Sequence, residues 1–209
     1  MLNKASEINS LGLCGIIFQV KKTSLNDFQP NHSNRANWLK NPMQSGKYHH
    51  WLIDKGSLTA RLKKKYADFL VQPVQVMSAK AFLDEASLLK MPVRQKALIR
   101  EVMLMGNQQA LVFAHSVLPA SSLRGPWAGL RRLGSQPLGA SLFANPQVKR
   151  TPLTYKKLSP QHLLYQHATQ TMQVKPLYLW ARRSVFSLHD ARIMVTEVFL
   201  PQLLSVIKV

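Results

Sequence analysis

A single cysteine, Cys14, in 209 residues leaves no internal disulfide, no paired redox cysteines and no zinc site built on four cysteines or on two cysteines with two histidines. A reducing compartment fits that count. Acidic residues are also scarce. Nine Asp plus Glu stand against 28 Lys plus Arg, a formal charge of +19 that points to an anionic partner: nucleic acid, a membrane surface or a small poly-acid. Glycine-rich phosphate loops and the GxSxG serine elbow are missing, which removes the ordinary nucleotide and serine-hydrolase signatures. The seven histidines make no HExxH or other ligand spacing, so no metal site is expected. The apolar stretch LGLCGIIFQV, residues 11–20, is too short for a bilayer, which takes about 20 apolar residues. It is also a poor signal peptide, having an acid before it and no small-x-small site after it. A cytoplasmic protein without stable membrane insertion is expected.

What is present suits one folded domain: 46% of the residues are hydrophobic, close to the globular norm. Residues 23–36, TSLNDFQPNHSNRA, are polar and turn-rich, so an N-terminal extension over 1–30 is expected before a domain at 31–209. WLIDKGSLTARLKKKY (51–66) reads as two short helical pieces, with Ser57 capping the second. FLVQPVQVMSAKAF (69–82) carries Pro73 and reads as an edge-type strand. ALIREVMLMGNQQALVFAHSVLP (97–119) is a β-hairpin, with Gly106 suited to the first position of a type II′ turn. Short helices follow around 120–134 and after QPLG. Residues 148–158 alternate as a strand, 159–176 read as a long loop, and a second hairpin turns at His189-Asp190. About six mostly hairpin-connected strands with helices clustered between them imply an α+β fold on an antiparallel sheet.

Several residues invite a chemical question. Glu197 interrupts the apolar run IMVTEVFLP, where a carboxylate either points to solvent or is buried for a reason. In ALIREVMLM, Arg100 and Glu101 must face opposite sides of the sheet, and the bland reading sends one to water and the other to the strand edge. A lone histidine such as His115 in LVFAHSVLP is more often a satisfied structural group than a ligand or base. The basic runs at 61–65, Arg131-Arg132 and Arg182-Arg183 read as solvated faces, and Trp127, Trp180 and Tyr178 as packing residues. No helix-turn-helix or RRM motif supports a nucleic-acid partner.

Taken in order, WLIDKGSLTARLKKKY, REVML, AHSVLPASSLRGP, LRRLGSQPLGASLF, LWARRS and TEVFLP resemble the chorismate lyase family, over roughly residues 35–201. The resemblance implies helical flaps over an internal site in the antiparallel sheet, and a monomer that uses no metal or cofactor. It implies conversion of chorismate to 4-hydroxybenzoate and pyruvate, the first committed step of ubiquinone biosynthesis. The family's carboxylate-binding arginine falls on Arg100 and its glutamate at the ring hydroxyl on Glu197, both implied as catalytic; backbone contacts to the ligand fall on Leu58 and Leu138. A second basic residue expected in the hairpin is replaced by His115, implied as a weaker, pH-sensitive anchor for the enolpyruvyl carboxylate. The other reading is a non-enzymatic small-molecule-sensing domain of the same fold, as in bacterial transcription regulators. Those carry an N-terminal winged helix, for which the residues before 35 are few and polar.

Overall fold

The computed structural model describes residues 38–205, so the expected extension over 1–30 lies outside the described residues. Stretches rich in Val, Leu, Met and Phe become the long strands β1 (Leu70–Lys80), β2 (Lys96–Gly106), β3 (Gln109–Pro119), β6 (Leu179–Leu188) and β7 (Ala191–Phe199), and the basic run between β3 and β6 adds two short ones, β4 (Lys149–Arg150) and β5 (Thr154–Leu158). They form one antiparallel sheet in the order β1-β2-β3-β7-β6-β4, with β5 pairing the same edge of β6 further along. The α+β expectation holds, with seven strands among the described residues rather than about six. The run 148–158 is two strands because Pro152 has no N–H for the ladder and separates β4 from β5.

Six short helices flank the sheet: α1 (His49–Leu52), α2 (Leu58–Lys65), α3 (Leu83–Leu89), α4 (Ala120–Arg124), α5 (Leu138–Ala144) and α6 (Leu163–Ala168). Ser57 caps α2 as expected, its Oγ accepting from Ala60 N at 3.3 Å. The helix expected over 120–134 is instead α4 plus a 3₁₀ turn, Ala128–Arg132, interrupted at Gly125-Pro126. The loop expected over 159–176 contains α6, whose first turn is capped by His162 Nδ1 accepting from Leu164 N.

Alternation along the strands divides the core into two layers. On the front face, α1 and α2 bury Trp51, Leu52, Leu58 and Leu62 against Val102, Leu104, Val112 and Phe199. Beside them α4 and α5 bury Leu123, Leu138 and Leu142 against Leu118, Phe186 and Ile193. On the back face, α6 packs Leu164, Tyr165 and Ala168 on Met103, Phe113 and Val198, and α3 packs Ala86 and Leu89 on Ile99, Val117 and Met194. Polar side chains occupy the gap between the two clusters on each face.

The β2–β3 turn differs from the expected II′ type. Its central residues are Asn107 and Gln108, with φ of 49° and 58°, as a type I′ turn requires. Asp68 accepts from both of their backbone N–H groups, at 2.7 and 2.9 Å. Gly106 is needed for space: a Cβ there would lie 2.7 Å from Tyr66 Cγ and 2.8 Å from Leu111 Cδ1. Gly106→Ala is therefore expected to lower stability by about 1–3 kcal/mol, the scale of overpacking a filled core. A urea midpoint equal to wild type would refute that reading.

Candidate active site

Register places one row of side chains across the front face as Arg100 (β2), Ser116 (β3), Val195 (β7) and Ser184 (β6). The next row is Val102, Ala114, Glu197 and Arg182. Arg100 and Glu197 thus stand in adjacent rows, two strands apart, or roughly 10 Å across at the usual strand spacing. Between them the sheet carries only Ala114 and Ser116, so small side chains make a floor. The roof is Leu58 and Thr59 of α2 with Pro137, Leu138, Gly139, Leu142 and Phe143 at α5. The two roof helices meet closely, since a Cβ on Gly139 would lie 3.2 Å from Thr59 Oγ1. Arg100, Glu197, Leu58 and Leu138 all line the enclosed space.

Arg100 goes to neither water nor the strand edge: it is 4% exposed. Its Nη2 donates to the carbonyls of Gly134 and Gln136 at 3.0 and 2.9 Å, tying the guanidinium to the loop that leads into α5. Its Nε is buried without an acceptor among the described residues. Burial alone holds the guanidinium below its ordinary pKa. A planar cation kept dry and given only neutral partners is prepared for an anion.

Glu197 is fixed from the side, by its cross-strand neighbour on β6. Arg182 Nε donates to its Oε2 at 2.5 Å, and Arg182 Nη1 donates to the carbonyls of Trp51 and Asp54 at 2.8 and 2.6 Å. The fully buried Arg182 thereby joins Glu197 to the segment that leads into α2. Only Oε2 is engaged by a described residue, which leaves Oε1 as an acceptor. Leu58 and Leu138 open α2 and α5, where backbone N–H groups lack intrahelical acceptors. Main-chain contacts from these two positions need no particular side chain.

His115 lies elsewhere. β3 carries one extra residue, Leu111, between the pairs Met105↔Ala110 and Leu104↔Val112. That bulge sets Ser116 rather than His115 opposite Arg100, and a one-residue slip exchanges the faces. His115 consequently points to the back, where its Nδ1 meets Glu101 Oε1 at 2.8 Å and its Nε2 lies 3.3 Å from Glu85 Oε1. His167 Nδ1 meets the same Glu101 oxygen at 2.9 Å, and Gln75 donates to the other. Burial would lower the His115 pKa, but the carboxylates of Glu85 and Glu101 raise it to about 10. Burial would raise the Glu101 pKa, but the two histidines pull it down to about 2. The anchor expected at His115 is corrected accordingly: the histidine is part of a buried charge cluster that holds α3 and α6 to the back of the sheet.

The cation that the sequence reading missed in the cavity is Arg150. It lines the same space from β4. The only signal for it was its place in the alternating run VKRTPLTYKKL. Arg182-Arg183, read as a solvated pair, are both buried, one on each face; Arg183 meets Asp84 on the back at 2.5 Å.

The family model for chorismate lyase matches residues 32–209. The chain belongs to the chorismate lyase family. The probable chorismate pyruvate-lyase of Methylobacillus flagellatus is 46% identical over 171 residues, covering 82% of this chain and 96% of that one. The one from Nitrosomonas europaea is 46% identical over 153 residues, covering 73% and 86%. Among solved structures, the effector domain of PhnF from Mycobacterium smegmatis superposes with TM-score 0.52 at 18% identity, covering 70% of this chain and 90% of that one. At that identity the likeness is one of fold. The chorismate lyase fold here is thus also that of a regulator's effector domain.

Proposed function

We propose that the front cavity converts chorismate to 4-hydroxybenzoate and pyruvate, in a cytoplasmic monomer that needs no metal or cofactor and serves ubiquinone biosynthesis. The observation that carries this reading is the pairing of Arg100 and Glu197 across a floor of small residues under an apolar roof. Chorismate has a ring carboxylate at one end and a hydroxyl at the opposite end, with the enolpyruvyl ether on the carbon beside the hydroxyl. Arg100 binds the ring carboxylate, Glu197 Oε1 accepts a hydrogen bond from the hydroxyl, and Ala114 and Ser116 leave room for the ring.

In the reaction the ether C–O bond breaks and its electron pair leaves with the enolpyruvyl oxygen. The C–H bond on the hydroxyl-bearing carbon also breaks, its pair completing the aromatic ring. The hydrogen ends on the former methylene, which becomes the pyruvate methyl, so atoms and charge balance without an added reactant. Aromatisation supplies the driving force; the protein's part is to fix the conformer and stabilise charge at the departing oxygen. The apolar roof of Leu58, Pro137, Leu138 and Leu142 excludes water, which strengthens each of these contacts.

Purified protein incubated with chorismate and a chelator is expected to release 4-hydroxybenzoate and pyruvate in equal amounts. Arg100→Ala is expected to weaken 4-hydroxybenzoate binding about 10- to 100-fold, the scale of hydrogen bonds to a charged group. A folded wild-type protein that binds 4-hydroxybenzoate and forms no product would instead favour a sensing domain.

A further inference from the structure

The arginines held in the fold divide into two kinds. Arg182 and Arg183 each meet a carboxylate, Glu197 and Asp84. Arg100 and Arg150 form no such pair among the described residues, and these two line the front cavity. The cavity lining thus presents two unpaired cations and one carboxylate, Glu197, which is already matched by Arg182 beside it on β6.

Arg150 is half-buried and is held by two hydrogen bonds and two aromatic rings. Its Nε donates to Ser184 Oγ and its Nη1 to the Lys55 carbonyl, each at 2.8 Å. Its guanidinium lies 5.1 Å from the Phe186 ring centre and 5.4 Å from that of Phe143. These direct partners are neutral and fix the direction of the charge; the carboxylates of Glu197 and Asp54 act on it only from beyond ion-pair distance, and Arg182 opposes them. The long side chain is ordered in advance, which lowers the entropy cost of binding an anion.

Its place relative to the other two charges is informative. Ser184 is on β6, beside the β7 strand that carries Glu197, whereas Arg100 is on β2 at the far side of the floor. A ligand with its ring carboxylate on Arg100 and its hydroxyl at Glu197 therefore brings the substituent next to the hydroxyl toward the β6 side. On chorismate that substituent is the enolpyruvyl ether, which ends in the second carboxylate. We propose that Arg150 binds the enolpyruvyl carboxylate, so that two arginines at opposite ends of the cavity recognise the dianion; this assignment rests on the chorismate reading above.

The product separates the two anchors. 4-Hydroxybenzoate keeps the ring carboxylate and has lost the enolpyruvyl one, so it needs Arg100 and not Arg150. The test compares wild type, Arg150→Met and Arg150→Lys for kcat/KM with chorismate and for 4-hydroxybenzoate affinity by calorimetry. Arg150→Met, which keeps the apolar stem, is expected to lower kcat/KM about 10- to 100-fold. It is expected to leave 4-hydroxybenzoate affinity within about twofold, with partial recovery in Arg150→Lys. Equal loss of turnover and product affinity would overturn the proposal and make Arg150 a support of the cavity wall. Wild-type kcat/KM in Arg150→Met would also overturn it. A wild-type protein without turnover would overturn the chorismate reading itself, and this assignment with it.

Discussion

Glu197→Gln is expected to lower kcat with chorismate by about two to four orders of magnitude, the range over which positioned acid–base groups act. The substitution keeps size and shape. Its carbonyl oxygen can still accept from Arg182 Nε, so the 2.5 Å contact between these neighbours is weakened rather than removed. What is lost is the negative charge at the acceptor facing the hydroxyl. With Oε2 occupied, Oε1 is the atom that can take the hydroxyl's hydrogen bond and raise electron density on the carbon whose hydrogen departs. This electronic demand grows as the ether bond breaks, so the loss should fall on kcat far more than on product affinity. Steady-state rates with chorismate, set beside 4-hydroxybenzoate binding, measure that split. A kcat near wild type would remove Glu197 from the chemistry, and an equal fall in both quantities would make it a binding group.

Arg182 explains why a carboxylate can wait in such a place. A buried ion pair gains little over an apolar alternative unless its remaining donors are satisfied. Here Nη1 of the same guanidinium is shared among the carbonyls of Trp51, Leu52 and Asp54, while Nη2 is buried without an acceptor among the described residues, so the pair is satisfied only in part. The backbone leading into the roof helix α2 is therefore tied to the group that orients Glu197. The loop leading into α5 is tied to Arg100 in the same fashion, through Gly134 and Gln136. Each half of the roof is fastened to one end of the cavity.

The sheet was legible where apolar residues alternate or run together, as in 96–119 and 179–199, and the turn at His189-Asp190 followed from the same pattern. Ser57 was legible because a cap is local chemistry. The sides of the sheet were not. Without the extra residue Leu111, the pairing that begins Gly106↔Gln109 would continue to set His115 directly opposite Arg100, on the same face. A bulge is invisible in an apolar run, yet it decides which polar residues share a cavity. The neighbours Arg182 and Arg183 likewise look like a solvated pair until β7 and α3 bring Glu197 and Asp84 to opposite faces. Burial of a charge depends on a partner distant in sequence, and local composition carries no record of it.

The back-face cluster yields the largest expected change in stability. His115→Ala should destabilise the fold by about 3–5 kcal/mol, because it leaves Glu85 and Glu101 buried beside each other with one cation removed. The wild-type contribution should also depend on pH in a definite direction. His115 has a raised folded pKa, so its stabilisation is complete below the ordinary value of 6.5 and is lost as pH climbs through about 10. Glu101 has a depressed one, so its stabilisation is complete above the ordinary value of 4.5 and is lost as pH falls through about 2. The cluster is therefore strongest between these ordinary values. The gap in urea midpoint between wild type and His115→Ala should be widest near pH 6 and should narrow steadily toward pH 10. Because His115 faces away from the cavity, 4-hydroxybenzoate affinity of the folded variant should match wild type. Parallel stability curves across that range would mean that the histidine acts through packing against Phe82, whose ring centre lies 5.8 Å away, rather than through charge.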